Sequence, residues 1–312
     1  MEYDHVAILL TENCNARCEM CCDNRGRSCG HTLTIKELDI ILSQVKNYSF
    51  AKTVGITGGE PMLYPELCEY IMNYDYGRKM QFTIKTNGFW GSDKEKVRCF
   101  LERNADKIVN ISFSYDEFHK KFIDIRSIKN IIELAMNYKI ATDVVGCFLA
   151  NGMQPGDILN EFGKHAYMTE FFYQPVVETG SAKNIEGAEF VKLLNSDKHE
   201  LKCLVTARQD YSILVNPKLD VYPCCSQCVE NTILNMGNLK EASLSEIVED
   251  IKCNKVIHTI FTKGFTPFIQ FMKENNILYP KELTSHCEMC EYLFSSDWFL
   301  KYLEQEKYYE NI

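Results

Sequence analysis

The chain is 312 residues long, 46% hydrophobic and 25% charged, with a formal net charge of −9. That length buries a sizeable core without cross-links and suits one large α/β domain or a barrel with a smaller appendage. The acidic balance, without any Lys/Arg cluster, argues against a nucleic-acid partner; residues 1–5 offer neither a basic segment nor an apolar run, so no secretory signal and no membrane partner are expected.

The cytoplasm is the expected compartment, and there the 15 cysteines stay reduced, as metal ligands, catalytic thiols or small packing residues. An apolar run at 6–10 reads as the first strand. It leads into Cys14-Asn15-Ala16-Arg17-Cys18-Glu19-Met20-Cys21, three cysteines in the spacing CxxxCxxC. Three thiolates on one tight loop can hold three irons of a four-iron cluster and leave the fourth open to a small molecule. With this many cysteines, chance places such a pattern somewhere in the chain with odds of roughly 0.04, so a second motif is needed beside it.

Thr34 and Glu37 have the form of a capping box, and Ile35, Leu38, Ile41, Leu42 and Val45 continue at helical spacing. A strand is expected over 53–57, running straight into Gly58-Gly59-Glu60-Pro61, with a helix after Pro65. The rhythm repeats with a strand over 81–85, the turn Thr86-Asn87-Gly88, and a helix capped by Ser92 with Glu95 three residues on. Two further units pair strand 109–114 with helix 128–138 and strand 142–148 with helix 157–164. A sixth strand, 169–174, ends at Pro175. Alternating strands and helices of this length require a parallel sheet covered by helices, because parallel strands need crossover connections. Six units make a partial (β/α)6 barrel, whose chemistry belongs at the carboxyl ends of the strands, where each motif falls.

Residues 178–202 are polar, with Gly180 and Gly187, and read as a connector. The expected division is a barrel over 1–195 and a second, cysteine-dense domain over 196–312, containing Cys203, Cys224, Cys225, Cys228, Cys253, Cys287 and Cys290. Between these cysteines, Ile260, Phe261, Phe265, Phe268, Ile269 and Met272 are expected to pack into a core, split in two at Gly264 and Pro267.

The cysteine loop followed one unit later by Gly58-Gly59-Glu60-Pro61 resembles the radical SAM enzymes. That resemblance implies a 4Fe-4S cluster on Cys14, Cys18 and Cys21, S-adenosylmethionine on its open iron, and the methionyl amino group cradled by Gly58, Gly59, Glu60 and Pro61. Taken alone, the glycine pair is a common turn. Asn87-Gly88 and Ser114-Tyr115-Asp116 resemble segments that line the nucleoside in the same superfamily, although Ser114 and Asp116 read equally well as turn residues capping the next helix. Met20 stands where relatives usually carry an aromatic residue, and Gly180-Ser181-Ala182 where many carry Gly-Arg-Ala.

The second half resembles the Twitch/SPASM extension of peptide-modifying radical SAM enzymes. Cys203 is followed by a spacer to Leu219, which replaces the usual glycine, then four residues, Cys224, and a later CxxC of Cys287 and Cys290. The resemblance implies one auxiliary 4Fe-4S cluster on these four; a four-cysteine zinc site is the alternative. Asn87-Gly88-Phe89-Trp90-Gly91, Ser114-Tyr115-Asp116-Glu117-Phe118-His119 and Tyr222-Pro223-Cys224-Cys225-Ser226 narrow the likeness to peptide epimerases of the EpeE (YydG) type. In that family the cysteine matching Cys225 returns a hydrogen atom to a Cα radical, which inverts the residue. Cys225 read without the family is a small buried side chain. Cys228 is a competing donor or ligand, and Ser212, with Asp210 two residues earlier, stands where the epimerases carry aspartate. Cys22, Cys29, Cys68, Cys99, Cys147 and Cys253 are expected to be packing residues.

The implied function is modification of a ribosomally synthesised precursor peptide, with an electron donor such as flavodoxin or ferredoxin as second partner. No leader-binding domain is expected ahead of the first strand. The competing readings are a thioether or carbon–carbon cross-linking maturase and a non-catalytic cysteine-rich metal-binding protein.

Overall fold

The computed structural model describes residues 2–22, 30–209, 211–226 and 228–305. The first half alternates strand and helix: β1 (His5–Leu9), α1 (Ile35–Asn47), β2 (Thr53–Thr57), α2 (Pro65–Asn73), β3 (Gln81–Thr86), α3 (Lys94–Asn104), β4 (Ile108–Ser114), α4 (Ile125–Asn137), β5 (Ala141–Phe148), α5 (Pro155–Phe162) and β6 (Glu170–Pro175). The strands β1 to β6 pair in parallel in chain order, as the expected (β/α)6 arrangement requires.

Local chemistry fixes the helix starts. Thr34 and Glu37 form the expected capping box of α1. Asp93, not Ser92, caps α3, its Oδ1 accepting from the N–H of Glu95 and Lys96, because Ser92 is taken into a 3-10 turn over Phe89–Ser92. Asp124 caps α4, which therefore begins before Ile128, and Pro155 opens α5 before Asp157.

Each strand sends alternate residues to opposite sides. In β3, Phe82, Ile84 and Thr86 are buried, leaving Thr83 and Lys85 to line the barrel lumen. The outer layer packs Leu38, Ile41, Leu42 and Val45 of α1 and Ile128, Ile131, Ile132 and Ala135 of α4 into one core with Val54, Ile56, Ile111 and Val144 of the sheet.

The remaining elements are β7 (Leu194–Asn195), α6 (Leu204–Arg208), β8 (Ser212–Val215), β9 (Asp220–Tyr222), β10 (Gly237–Asn238), α7 (Leu244–Cys253), α8 (Lys255–Lys263), α9 (Thr266–Glu274), β11 (Glu282–Leu283), α10 (His286–Phe294) and α11 (Trp298–Gln305). Sequence reading has no strand over 212–215, four buried residues too short for a period. It pairs in parallel with β1, His5 opposite Ser212 and Ile8 opposite Val215, and β9 and β10 follow antiparallel. The sheet thus runs β10-β9-β8-β1-β2-β3-β4-β5-β6, and the cysteine-rich half continues it past β1. The apolar set splits at Gly264 into α8 and α9, as expected, and Phe268 packs edge-on against Phe294 and Phe299.

Candidate active site

The cysteine loop is held from below by the turn after β2. Gly59 N–H donates to Thr11 O at 2.7 Å and Glu60 N–H to Asn13 O at 2.8 Å. A Cβ on Gly59 would lie 2.2 Å from Asn13 O, and Gly58 has φ +148°, so only glycines allow this approach. From the other side, Ser181 N–H donates to Cys21 O at 2.8 Å, and Asn231 Nδ2 reaches Cys22 O at 3.4 Å and Thr179 Oγ1 at 2.9 Å. The polar stretch 178–202, read as a connector, therefore contributes a turn (Gly180–Asn184) that closes on the cysteines.

Cys14, Cys18 and Cys21 line one cavity of about 580 Å³, together with Gly58, Gly59, Asn87, Ser114, Asp116 and Cys225. Burial, offset in part by the Ala16 N–H, pushes the Cys14 thiol up to about 11, with Glu60, Cys18 and Cys21 adding to the rise. A Cys14 thiol that resists ionising in the same cavity as Cys18 and Cys21 suits a cationic iron centre that would stabilise the thiolates.

Of the residues that the resemblance assigns to S-adenosylmethionine, Glu60 and Pro61 do not line the cavity. The Glu60 carboxylate is 0% exposed and accepts from Met62 N–H at 2.9 Å, Thr86 Oγ1 at 2.7 Å and Asn87 N–H at 2.6 Å. Burial raises it to about 7 against these three bonds. Pro61 opens a 3-10 turn. Asn87, fixed by Glu60, turns Nδ2 to Asn15 Oδ1 at 2.8 Å and Cys14 Sγ at 3.9 Å.

Asp116 fulfils the turn reading while lining the cavity. Its Oδ1 accepts from the N–H of Phe118 and His119, each at 3.0 Å, and from His119 Nδ1 at 2.8 Å; its Oδ2 accepts from Cys147 N–H at 3.0 Å. Burial opposes charge on both members of the Asp116–His119 pair, but each outweighs that for the other: the carboxyl lies below its ordinary range, the imidazole well above. The His119 side chain also bonds Cys18, a contact no local sequence signal announces.

Cys225 is exposed rather than buried, lines the cavity, and its Sγ lies 3.7 Å from Ile213 O. Ser212, Ser226 and Glu230 line the same side. Asp210 and Cys29 fall outside the described residues. Cys22 and Cys147, expected only to pack, line the cavity; Cys68 is buried as expected, whereas Cys99 and Cys253 are exposed because they lie on the outer faces of α3 and α7.

The second thiol group lies away from the cavity. Cys203 precedes α6, Cys224 follows β9, and Cys287 and Cys290 share one face of α10. Burial raises the thiols of Cys203 (to about 11), Cys224, Cys287 and Cys290, and the neighbouring cysteines add to the rise at Cys203, Cys224 and Cys290. Cys228, buried beside them, also raises Cys290. Among the described residues no group of three or more His, Cys, Asp or Glu side chains is placed to hold a single metal ion. Thiols that bind different irons of a cluster are not held to that placement.

Residues 8–164 match the family model of the radical SAM superfamily, and residues 203–291 match that of SPASM, an iron–sulfur cluster-binding domain. The chain belongs to the radical SAM superfamily. This radical SAM protein accordingly uses S-adenosylmethionine and a 4Fe-4S cluster, with a further iron–sulfur cluster in its SPASM part. It is 29% identical over 318 residues to the putative peptide biosynthesis protein YydG of Bacillus subtilis, covering 97% of each chain. It is 28% identical over 213 residues to a GTP 3′,8-cyclase of Clostridium perfringens, 64% of each. Among solved structures, anSMEcpe with bound AdoMet and Cp18Cys peptide superposes with a TM-score of 0.57 at 15% identity over 97% of both chains. SuiB of Streptococcus suis bound to S-adenosylmethionine gives 0.56 at 16%, over 83% of this chain and 68% of SuiB. Those two likenesses establish the fold. Among the described residues no helix is long and apolar enough to cross a membrane.

Proposed function

We propose that this radical SAM enzyme modifies a ribosomally synthesised peptide by converting L- to D-residues. The observation that carries the reading is the placement of Cys225 in the same cavity as Cys14, Cys18 and Cys21, immediately after Cys224 and not among the second thiol group. The likeness to a putative peptide biosynthesis protein over 97% of both chains supports a peptide substrate. So does the fold shared with anSMEcpe bound to a peptide and SuiB bound to the precursor peptide SuiA.

Cys14, Cys18 and Cys21 would hold the 4Fe-4S cluster, with Gly58, Gly59, Asn87 and Ser114 along the S-adenosylmethionine site. Cys203, Cys224, Cys287 and Cys290 would hold the auxiliary cluster. When bound and reduced, the first cluster and S-adenosylmethionine supply a 5′-deoxyadenosyl radical able to take a Cα hydrogen atom. Glu60 acts behind the cavity wall by fixing Asn87, and Asp116, in the wall itself, fixes His119. Cys225 gives its S–H hydrogen atom to the planar Cα radical, so a C–H bond forms as the S–H bond breaks. One electron and one proton then restore the thiol. The electron comes from a donor such as flavodoxin or ferredoxin.

The test is mass spectrometry of a candidate peptide encoded beside the gene, after anaerobic turnover with S-adenosylmethionine and reductant in deuterated water. Wild type is expected to add about one mass unit per altered residue through the exchangeable thiol, and Cys225→Ala to lose this gain. A loss of about two mass units that is indifferent to Cys225 would instead place the enzyme with the cross-linking maturases.

A further inference from the structure

Among the described residues, Lys85 is the single lysine or arginine that lines the cavity. It stands on the lumen face of β3, in register with Ser112 of β4, which is in turn in register with Asp143 of β5. Asp143 is occupied elsewhere: Oδ1 accepts from Asn110 Nδ2 at 2.5 Å and Oδ2 from Ser112 Oγ at 2.6 Å. Among the described residues, no carboxylate forms an ion pair with Lys85, whose side chain is exposed to the lumen. Its charge is felt at Cys147, whose thiol burial and Asp116 raise to about 12 while Lys85 pulls the other way.

We propose that Lys85 is a specificity-determining residue that binds an acidic side chain of the peptide substrate. This rests on the peptide-modifying reading above. The surrounding chemistry favours a peptide: the Thr83 hydroxyl and the amide oxygen of Asn110, whose Nδ2 is held by Asp143, suit backbone N–H and C=O, and one ammonium matches one carboxylate. A nucleoside triphosphate, with several negative charges, would leave most of them unpaired beside Asp116, Asp143 and Glu230. In a chain of net charge −9, an acidic residue finds a favourable place in this lumen beside Lys85, since the His119 imidazole is already paired with Asp116.

The experiment is selection of a random peptide library by mRNA display on the anaerobic holoenzyme, with both clusters and S-adenosylmethionine bound. Wild type is expected to enrich peptides with Asp or Glu at a constant place relative to the rest of the selected motif. Lys85→Met is expected to abolish that preference, Lys85→Glu to replace it with Lys or Arg, and Lys85→Arg to retain it. A wild-type pool without acidic preference, with no enrichment at all, or with a preference that survives in Lys85→Met overturns the proposal. Iron content of each variant verifies that it folds and loads. S-adenosylmethionine affinity is expected to change by less than about twofold in Lys85→Met; a loss of about tenfold would assign Lys85 to the cofactor's carboxylate and overturn the proposal. Selection reads binding and not stereochemistry, so an acidic preference without D-residues would refute the epimerase reading and leave Lys85 in place.

Discussion

The backbone N–H of Asn87 donates to Glu60 Oε2 at 2.6 Å, joining the turn after β2 to the turn after β3. Removing the acceptor in Glu60→Ala strands the buried donors of Asn87, Thr86 and Met62, and is expected to cost about 3 kcal/mol or more of stability by urea unfolding. Asn87 also loses its fixed approach to Asn15 and Cys14, so S-adenosylmethionine affinity is expected to fall with it.

The same carboxyl gives a pH dependence. Burial raises it from 4.5 to about 7, against the lowering bonds of Asn87, Thr86 and Met62. Between these values the folded chain keeps a proton that the unfolded chain has released. The contribution to stability is therefore complete below 4.5 and lost as pH rises through about 7. The stability advantage of wild type over Glu60→Gln should shrink by about 3 kcal/mol over this window, and a pH-independent difference would refute the raised value.

Gly59→Ala places a Cβ 2.2 Å from a backbone carbonyl, Asn13 O, that no rotamer change can move. The expected result is displacement of the cysteine loop: iron per chain falls by about half, and the electron paramagnetic resonance signal that remains belongs to the auxiliary cluster. Full iron content in Gly59→Ala would show that the loop tolerates the shift.

Leu219, which stands where the SPASM pattern has glycine, is left-handed, with φ +70° and 0% exposure. It bridges β8 and β9, where Asn216 Oδ1 accepts from Lys218 and Asp220 N–H. Its side chain offsets backbone strain with burial. Leu219→Ala keeps the strain and loses the packing, whereas Leu219→Gly relieves the strain. Glycine is expected to be the more stable of the two variants by about 1 kcal/mol in thermal or urea unfolding, the reverse of the usual order.

Glu291, next to Cys290 on α10, accepts from Lys183 Nζ at 2.7 Å and from Thr179 Oγ1 at 2.5 Å, tying the second thiol group to the turn that closes on Cys21. Lys183→Met and Glu291→Gln are expected to couple by about 1 kcal/mol in a double-mutant cycle of thermal stability, since Lys183 is half exposed while Glu291 is nearly buried. Additive effects would mean that the pair does not fasten the two parts.

What the sequence determined alone was local. The spacing of Cys14, Cys18 and Cys21, the capping box of Thr34 and Glu37, the alternation of strand and helix and the break at Gly264 each depend on residues a few positions apart, so backbone geometry and side-chain reach suffice to read them. Tertiary structure decided the rest. Glu60 looks like a cavity carboxylate until β2 and β3 are neighbours, and then its partner is Asn87. Cys225, singled out in the sequence only by resemblance to the peptide epimerases, comes to line the cavity because the four-residue β8 pairs with β1 and the segment after β9 follows it there. The turn Gly180–Asn184 has no period to announce it, yet Ser181 holds Cys21. Lys85 is an ordinary strand lysine until the parallel register puts it in one row with Ser112 and Asp143 on the lumen side. These relations arise from which strands pair and in what register, and a shift of one residue would turn each side chain to the opposite face of the sheet.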